Sequence, residues 1–314
     1  MRDSIKKHFY TFVLRSLRLR FDYKGVSRSH LGVSPYSKRS PMLLAAYNLR
    51  ELTTFLLDRS DAKSFRPATR ALRNTKKDSQ ALFLGNGPSL SSLDAKAVER
   101  DKPDIWVVND FYKVKQAEGL AVTHYALSDR IYFSNPPGVV NARLIPILEY
   151  VKRKNAILVL PHWASTLNLP IPNSIKTYFF DDRELSAWSS NTTPIKPRGY
   201  IGLTLYKALA FALYLGYEKV FLLGMDNTEF LNYGSDKSNR ILLKGNHAYE
   251  NLANAADLSD HFADGMASVF TSLAHTFGDL LKFKGPVFNL DEYSLTTRFP
   301  KLTNQPWISS RKDN

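Results

Sequence analysis

The stretch Ala81–Leu90, read as Ala-Leu-Phe-Leu-Gly-Asn-Gly-Pro-Ser-Leu, decides how the rest of the chain folds. An apolar run ends at two glycines that flank an asparagine, and an amphipathic segment follows. This order predicts a strand, a tight turn and the start of a helix. Gly85 and Gly87 would let the backbone approach a ligand closely, and the N–H groups after Pro88 and Ser89 could bind an anion. The stretch is therefore either a phosphate site or simply a sharp turn between a strand and a helix.

After residue 79, short apolar runs alternate with helical segments. The runs are apolar throughout, as in strands that are covered on both faces of a sheet. This order is typical of the α/β class and predicts a doubly wound, mostly parallel, Rossmann-like sheet. The predicted strands span residues 80–84, 105–108, 124–127, 156–160, 176–180, 219–223 and 287–290. The predicted helices between them span residues 90–100, 142–152, 200–215 and 265–283.

The composition of the 314-residue chain limits its chemistry. With 44% hydrophobic residues, it can bury a large core as one domain or as one domain with an appendage. It has no cysteine, which excludes disulfides, thiolate metal sites and cysteine nucleophiles. No apolar run approaches the roughly 20 residues of a transmembrane helix, and arginines rather than a cleavage site follow the short run 9–14. We therefore expect a cytoplasmic protein.

Positive charge is concentrated at one end of the chain. Of the net charge of +14, residues 1–78 carry +12, with 18 Lys and Arg against 6 Asp and Glu. Residues 79–314 carry 25 against 23, which leaves +2. Because a nucleic-acid enzyme would more often spread basic residues around its cleft, we expect no nucleic-acid partner. We predict a basic helical N-terminal extension at residues 1–78 and a nearly neutral body at residues 79–314.

Two helices are predicted within the extension, at residues 5–21 and 41–57. The first is amphipathic, with basic side chains mostly away from its apolar face. Such a helix can lie on an anionic membrane surface. It can equally pack on the body or on a second copy of the chain in a homo-oligomer, and the sequence leaves these alternatives open.

Polar segments directly follow four of the predicted strands. In a doubly wound sheet, ligands bind beyond the carboxyl ends of the strands, so chemistry is expected there. The segments at these strand ends are 85–87, 109–112, 128–130 and 224–227.

Three blocks of the body resemble a known family. They are residues 84–90 (LGNGPSL), 108–112 (VNDFY) and 210–226 (AFALYLGYEKVFLLGMD). They are similar to blocks of the bacterial sialyltransferases of glycosyltransferase family 42. They also resemble a wider superfamily with motility-associated flagellin glycosyltransferases and hydroxymethylpterin diphosphokinase-like domains. The resemblance extends in scattered blocks over residues 80–295 and implies a Rossmann-like fold of the GT-A-variant type.

The resemblance implies that the donor is a sugar linked to cytidine monophosphate (CMP). In the family, asparagines after the first two strands contact this donor, and these correspond to Asn86 and Asn109. An amide suits contact with ribose, phosphate or cytosine because it offers both a donor and an acceptor. Where the family has a third asparagine, this chain has Ser128.

The resemblance also implies roles near the long helix. A serine-glycine element that contacts the donor corresponds most nearly to Gly202 and Thr204. Arg198 could neutralise the leaving phosphate or a sugar carboxylate, or it could be a solvated arginine. Two family tyrosines donate hydrogen bonds to the leaving phosphate, and Tyr233 is a candidate for one of them while the other has no clean match.

Sugar transfer needs a base for the acceptor hydroxyl, and histidine has a suitable pKa. The family places its base ahead of the last long helix, where this chain has His247 and His261. We slightly favour His261, which directly precedes that helix, and retain His247. The resembled family is metal-independent and the chain lacks paired-histidine spacings, so we expect no metal and no cofactor besides the donor substrate. Asp226 is either a brace for its loop or the best ligand should a metal be present.

These observations predict a glycosyltransferase that uses a nucleotide-activated sugar, held at the inner face of the membrane by its basic extension. Its acceptor would be a surface glycan or a lipid-linked glycan. Two alternatives remain open: a diphosphokinase-like phosphotransferase that uses ATP, and a non-catalytic, membrane-associated nucleotide-binding module.

Overall fold

The computed structural model describes residues 41–57, 64–133, 141–185, 188–200, 203–227, 280 and 282–302. It also describes short pieces at 231, 233–235, 237–238, 241–243, 248, 256–257, 304–305 and 307–308. The predicted helix 5–21 and most of the predicted helix 265–283 lie outside these residues. Of the helices that the described residues form, none is both long and apolar enough to span a bilayer.

The described strands, in chain order, are β1 (Gln80–Leu84), β2 (Asp104–Val108), β3 (Val122–Ala126), β4 (Ile157–Pro161), β5 (Thr177–Phe180), β6 (Lys219–Leu223), β7 (Tyr233–Ser235), β8 (Ile241–Leu243), β9 (Ala256–Asp257) and β10 (Val287–Asn289). Seven of them form a sheet in the order β10-β6-β1-β2-β3-β4-β5, with every pair parallel. The chain runs outward from β1 to β5, and β6 then returns to the other side of β1. The predicted parallel α/β sheet and its seven strands are confirmed.

Strand β1 shows why the apolar runs became the centre of the sheet. Leu82 and Leu84 belong to the hydrophobic cluster on one face, and Ala81 and Phe83 belong to the cluster on the other. All four side chains are fully buried. Each large apolar side chain that is buried in this way contributes about 1.5–3 kcal/mol, which favours a central strand over an edge.

Helices cover both faces of the sheet. The described α-helices are α1 (Pro41–Leu57), α2 (Arg66–Ala71), α3 (Ala95–Asp101), α4 (Leu144–Lys154) and α5 (Thr204–Leu215). Val98 of α3 and Ile147 of α4 enter one hydrophobic cluster, and Phe211 of α5 enters the other. The sheet is therefore doubly wound, as predicted, and α1 confirms the predicted helix 41–57.

The predicted helix 90–100 is wrong in one respect, because two shorter helices replace it. A 3-10 helix, Pro88–Ser92, precedes α3. Asp94 separates them with an extended backbone, and its side chain accepts hydrogen bonds from the N–H groups of Lys96 and Ala97. An aspartate N-cap of this kind begins a new helix rather than continuing the old one.

The segment 65–78, which the sequence assigns to the extension, packs on the sheet. Phe65 is buried, and Arg66 pairs with Asp181 at 3.1 Å. The Thr69 hydroxyl donates to the Phe179 carbonyl of β5 at 2.9 Å. Backbone hydrogen bonds also join residues 74 and 76 to the end of α5. This segment therefore contributes to the core of the body.

Strands β7, β8 and β9 form a small antiparallel sheet. The sequence analysis did not predict it, because its strands are two or three residues long. Apolar periodicity needs at least four residues to be recognised.

Candidate functional site

Two asparagines lie at the carboxyl ends of adjacent strands, Asn86 after β1 and Asn109 after β2. The Asn86 Nδ2 group donates a long hydrogen bond of 3.4 Å to the carbonyl of Val108, the residue just before Asn109. The Oδ1 atoms of both asparagines are buried, and neither accepts a hydrogen bond from any described residue. A buried acceptor without a donor costs about 1–3 kcal/mol, so this pair is suited to a ligand that brings its own N–H or O–H groups.

Tyr125 holds the backbone of Asn109 in place. Asn109 has a φ of 53°, the left-handed conformation that asparagine tolerates better than most residues. The Tyr125 hydroxyl donates to the Asn109 carbonyl at 2.5 Å. The hydroxyl oxygen of Tyr125 also accepts a hydrogen bond from the Tyr112 N–H at 3.4 Å. Burial raises the pKa of Tyr125 well above its usual value, so the hydroxyl keeps its proton and remains a donor.

Packing within the protein, rather than a ligand, explains the glycines of the turn after β1. We call this turn, residues 85–87, the first turn. A Cβ on Gly85 would lie 2.8 Å from the carbonyl carbon of Gly224 and closer still to its oxygen. A Cβ on Gly87 would lie 2.9 Å from Cγ of Asp226 and would overlap its Oδ2. The loop after β6 occupies the space on the side-chain side of both glycines, and their contact with a ligand stays a prediction.

Asp226 takes the place of the anion that the sequence assigned to the first turn. Its Oδ1 and Oδ2 accept hydrogen bonds from the Ser89 N–H at 3.1 and 3.3 Å. The Ser89 hydroxyl accepts in turn from the Gly224 N–H at 3.0 Å. The Asp226 carboxylate thus satisfies one N–H group at the start of the Pro88–Ser92 helix. Of the two roles offered for Asp226, the structure thus supports the loop brace.

A second carboxyl group faces Asp226. Asp291 follows β10, and its Oδ2 is buried and accepts no hydrogen bond from a described residue. Burial, together with the neighbouring Asp291, raises the pKa of Asp226 to about 7, although the Ser89 N–H and hydroxyl act in the opposite direction. A proton on Asp226 removes the repulsion between the two carboxylates, and near pH 7 about half of the molecules carry it.

Ser128 and Thr204 meet across the same edge of the sheet. Ser128 follows β3, Thr204 begins α5, and their hydroxyl oxygens are 2.8 Å apart in a buried hydrogen bond. Leu203 is the N-cap residue of α5, and its side chain accepts no hydrogen bond from the first N–H groups of the helix. The structure thus brings together two residues that the sequence placed in separate parts of the donor site.

Arg198 is buried and engaged by protein carboxylates, so its interpretation as a solvated arginine is wrong. Its Nε lies 3.1 Å from Oδ1 of Asp182, and its Nη2 lies 2.6 Å from Oε2 of Glu184. Lys207 of α5 shares Asp182, with Nζ at 2.8 Å. Burial lowers the pKa of Lys207 to about 8 despite the attraction of Asp182. For Asp182, the two cations outweigh the effect of burial and lower its pKa to about 2.

Several candidates cannot be placed. His247, His261 and Gly202 lie outside the described residues, and for Tyr233 only the backbone, in β7, is described. The N–H of Ala248, which follows His247 in the sequence, donates to the Asn86 carbonyl at 2.7 Å. A second peptide segment thus reaches the first turn.

Sequence reasoning missed Tyr125 and Asp291. Asp291 directly follows the last strand of the sheet, so the rule that selected Asn86 and Asn109 would also have selected it. Tyr125 lies inside β3, where a tyrosine is indistinguishable from an ordinary core residue. Among the residues that the structure describes, no three His, Asp or Glu side chains cluster as a metal site would require.

The chain matches no protein-family model and no curated protein. Its structure is similar to a MAf glycosyltransferase from Magnetospirillum magneticum, with a TM-score of 0.44 and 13% identity over 84% of this chain and 42% of that protein. It is also similar to the sialyltransferase CstII from Campylobacter jejuni, solved with CMP (TM-score 0.38, 15% identity, 74% of this chain and 88% of that one). For the sialyltransferase Cst-I of the same organism, the TM-score is 0.35 and the identity is 15%, over 72% of this chain and 81% of that one. The chain thus spans less than half the length of the first of these proteins.

Proposed function

We propose that this protein is a glycosyltransferase that takes its sugar from a CMP-linked donor and passes it to a hydroxyl group of a glycan. The acceptor is a surface glycan or a lipid-linked glycan, and the basic extension attaches the enzyme to the inner face of the membrane. The sequence blocks at residues 84–90, 108–112 and 210–226 support this class of reaction.

The observation that carries the proposal is the pair of buried amide oxygens at Asn86 and Asn109. A cytosine base presents an exocyclic amine, and a ribose presents two hydroxyl groups, all of which can donate to an amide oxygen. Both acceptors lie at the carboxyl edge of a parallel sheet, where nucleotides bind in this architecture. A nucleoside therefore supplies the donors that the protein leaves out.

The start of α5 is suited to the departing phosphate. The first N–H groups of a helix attract an anion, and Thr204 and Ser128 add two hydroxyl groups beside them. In the proposed reaction, a histidine removes the proton of the acceptor hydroxyl, whose oxygen bonds to the anomeric carbon. The bond from that carbon to the phosphate oxygen breaks, and its electron pair leaves with CMP. His261, His247 and Tyr233 remain the proposed catalytic groups.

The engagement of two strand-end carboxylates, those of Asp226 and Asp182, favours sugar transfer over diphosphate transfer from ATP. Two-metal phosphotransfer needs carboxylates that are available to the metals. At the described strand ends, Asp226 accepts from Ser89, while Asp182 pairs with Arg198 and Lys207. These two carboxylates are engaged by protein groups.

Calorimetric titration of the full-length protein with CMP, UDP and GDP tests the donor class. We expect CMP to bind and the other two to bind more weakly. Asn86→Ala should weaken CMP binding by about 1–3 kcal/mol, since one hydrogen bond to the nucleotide is lost. A folded protein that does not bind CMP would refute the proposal.

Turnover then separates the enzyme from a non-catalytic binding module. We expect release of CMP from a CMP-sugar, and a loss of about 100-fold or more in either His261→Ala or His247→Ala with CMP affinity retained. A protein that binds CMP but releases none from any CMP-sugar would support the binding module instead.

A further inference from the structure

Exposed apolar side chains are distributed unevenly over the described residues. Ten large ones are exposed, and three of these lie on α1. The other seven all lie in segments at the carboxyl edge of the large sheet, and we call them the carboxyl-edge rim. The rim consists of Ile131, Leu167, Trp188, Leu203, Leu231, Tyr293 and Leu295. Single exposed apolar residues are ordinary, but a set confined to one edge marks an interaction surface.

The rim lies on both sides of the candidate nucleotide site. Four of its members follow β3, β4 or β5 or precede α5, and the other three follow β6 or β10. Strands β1 and β2, which carry Asn86 and Asn109, lie between these groups in the sheet. No rim residue belongs to the described segments that follow β1 and β2. The apolar surface therefore flanks the site on two sides.

On each side of the site, a contact links two of the loops that carry rim residues. Arg130, next to Ile131, lies 5.0 Å from the ring centre of Trp163, which is in the segment that leads to Leu167. On the other side of the site, the N–H of Leu295 donates to the Asp226 carbonyl, which links the loops after β10 and β6. The segments after β3 and β4 are thus linked on one side of the site, and the loops after β6 and β10 are linked on the other.

The charge of the chain identifies the partner. The extension carries +12, so an anionic surface attracts it. The body carries only +2 and offers an apolar rim with little net charge. An anionic lipid bilayer complements both features, because it has negative headgroups and an apolar boundary beneath them. Tryptophan and tyrosine, which favour this boundary, are both present in the rim, with Trp188 57% and Tyr293 58% exposed.

We propose that the carboxyl-edge rim seats on an anionic lipid bilayer, so that the nucleotide site opens toward the membrane surface. A bilayer contacts both groups at once because it is flat and wider than the site. The part of this inference that concerns the nucleotide site rests on the proposed function. It explains how a lipid-linked acceptor would reach the donor without leaving the membrane.

Trp188 provides a direct test in the full-length protein. Of the four tryptophans, Trp106 and Trp307 are buried, Trp163 is half-buried and Trp188 is exposed, so the variant Trp188→Phe is needed to separate the emission of Trp188 from that of Trp163. On addition of phosphatidylcholine vesicles that contain phosphatidylglycerol, we expect a blue shift of tryptophan emission. Trp188→Phe should lose most of this shift while still binding the vesicles.

Vesicle binding itself tests the other side of the rim. The double variant Leu231→Ser with Leu295→Ser should bind the same vesicles about tenfold less tightly, because two apolar side chains no longer enter the lipid boundary. Ala121→Ser, an exposed substitution before β3 at the opposite edge, serves as the control and should bind like the wild type. Without vesicles, the affinity for CMP should be unchanged in Trp188→Phe, in the double variant and in Ala121→Ser.

Two results would overturn the inference. The first is unchanged vesicle binding by the double variant with no shift from Trp188, which would place the membrane contact in the extension alone. The second is a wild-type oligomer that becomes monomeric in the double variant, which would make the rim a subunit interface. A wild type that binds no CMP would refute the proposed function but would leave the vesicle results interpretable.

Discussion

Gly87 lies directly against the carboxylate of Asp226, so that even a methyl group at residue 87 would overlap Oδ2. The two residues belong to loops after neighbouring strands, β1 and β6. The Gly87 N–H also donates to the Gly224 carbonyl at 2.9 Å. The turn that carries Asn86 is thus shaped by the loop after β6.

Gly87→Ala should destabilise the protein and weaken CMP binding together. The added Cβ displaces the Asp226 carboxylate or the turn, and overpacking of this kind costs about 1–3 kcal/mol. Chemical denaturation measures the first effect and calorimetric titration the second. Gly119→Ala is the matched control, because a Cβ there meets nothing within 4 Å and should change neither quantity. If Gly87→Ala and Gly119→Ala showed the same stability and the same CMP affinity, the close contact between Gly87 and Asp226 could not be what shapes the turn.

The contribution of Asp226 to stability should fall as pH rises from about 4 to about 7, whereas His124, whose pKa is lowered to about 3 by burial, contributes a rise over nearly the same range. Asp226 has a folded pKa of about 7, raised by burial and by Asp291, whereas an unfolded aspartate titrates near 4. Between these values the folded state retains a proton that the unfolded state has lost, so the free energy of unfolding decreases with pH. Above pH 7 this contribution becomes constant. The slope due to Asp226 is the difference between the denaturation curves of the wild type and of Asp226→Asn over this range.

Asp291→Asn should flatten that slope. The amide removes the neighbouring negative charge, so the pKa of Asp226 falls toward its ordinary value and the difference between folded and unfolded states shrinks. Asp226→Asn removes the titrating group itself and should flatten the same region. A slope between pH 4 and 7 that survives both substitutions must come from other groups.

Tyr125→Phe should weaken CMP binding because it releases the carbonyl of Asn109. Tyr150→Phe is closely matched, since Tyr150 is also fully buried and its hydroxyl donates to a backbone carbonyl, that of Ala117, at 2.7 Å. Each variant should lose about 1 kcal/mol of stability. Only Tyr125→Phe should raise the Kd for CMP, and a comparable rise in Tyr150→Phe would show that general loosening is responsible.

A chain that begins at residue 64 should be far more stable than one that begins at residue 79. The longer form keeps Phe65, the Arg66–Asp181 pair and the Thr69 hydrogen bond to β5. Loss of these contacts costs about 3 kcal/mol or more. Thermal denaturation compares the two forms. Equal melting temperatures would show that the segment 65–78 adds nothing to the core.

The sequence was sufficient to predict the large sheet because its central strands, such as β1 and β6, are apolar on both faces. A run such as residues 81–84 is distinctive in any context, and all seven strands could be located in this way. The carboxyl-end rule then selected Asn86 and Asn109, whose amide oxygens proved to be buried without described partners. Local pattern and general topology were enough for these residues.

The remaining features depend on partners that are remote in the sequence. Ser89 and Asp226 are 137 residues apart, so nothing local indicates that one caps the other. The same holds for Arg198, whose burial depends on Asp182 and Glu184 across a loop. The division of the predicted helix 90–100 could have been foreseen, since Asp94 is a good N-cap.

If Asn109 binds the nucleotide through its side chain, Asn109→Gly should remove that contact. Glycine keeps the left-handed backbone and removes only the amide. Asn155→Gly is the control, because Asn155 has a φ of 51° at the end of α4, away from the candidate site. In calorimetric titration with CMP, we expect Asn109→Gly to raise the Kd by about 5- to 100-fold and Asn155→Gly to leave it unchanged. Wild-type affinity in Asn109→Gly would contradict the account.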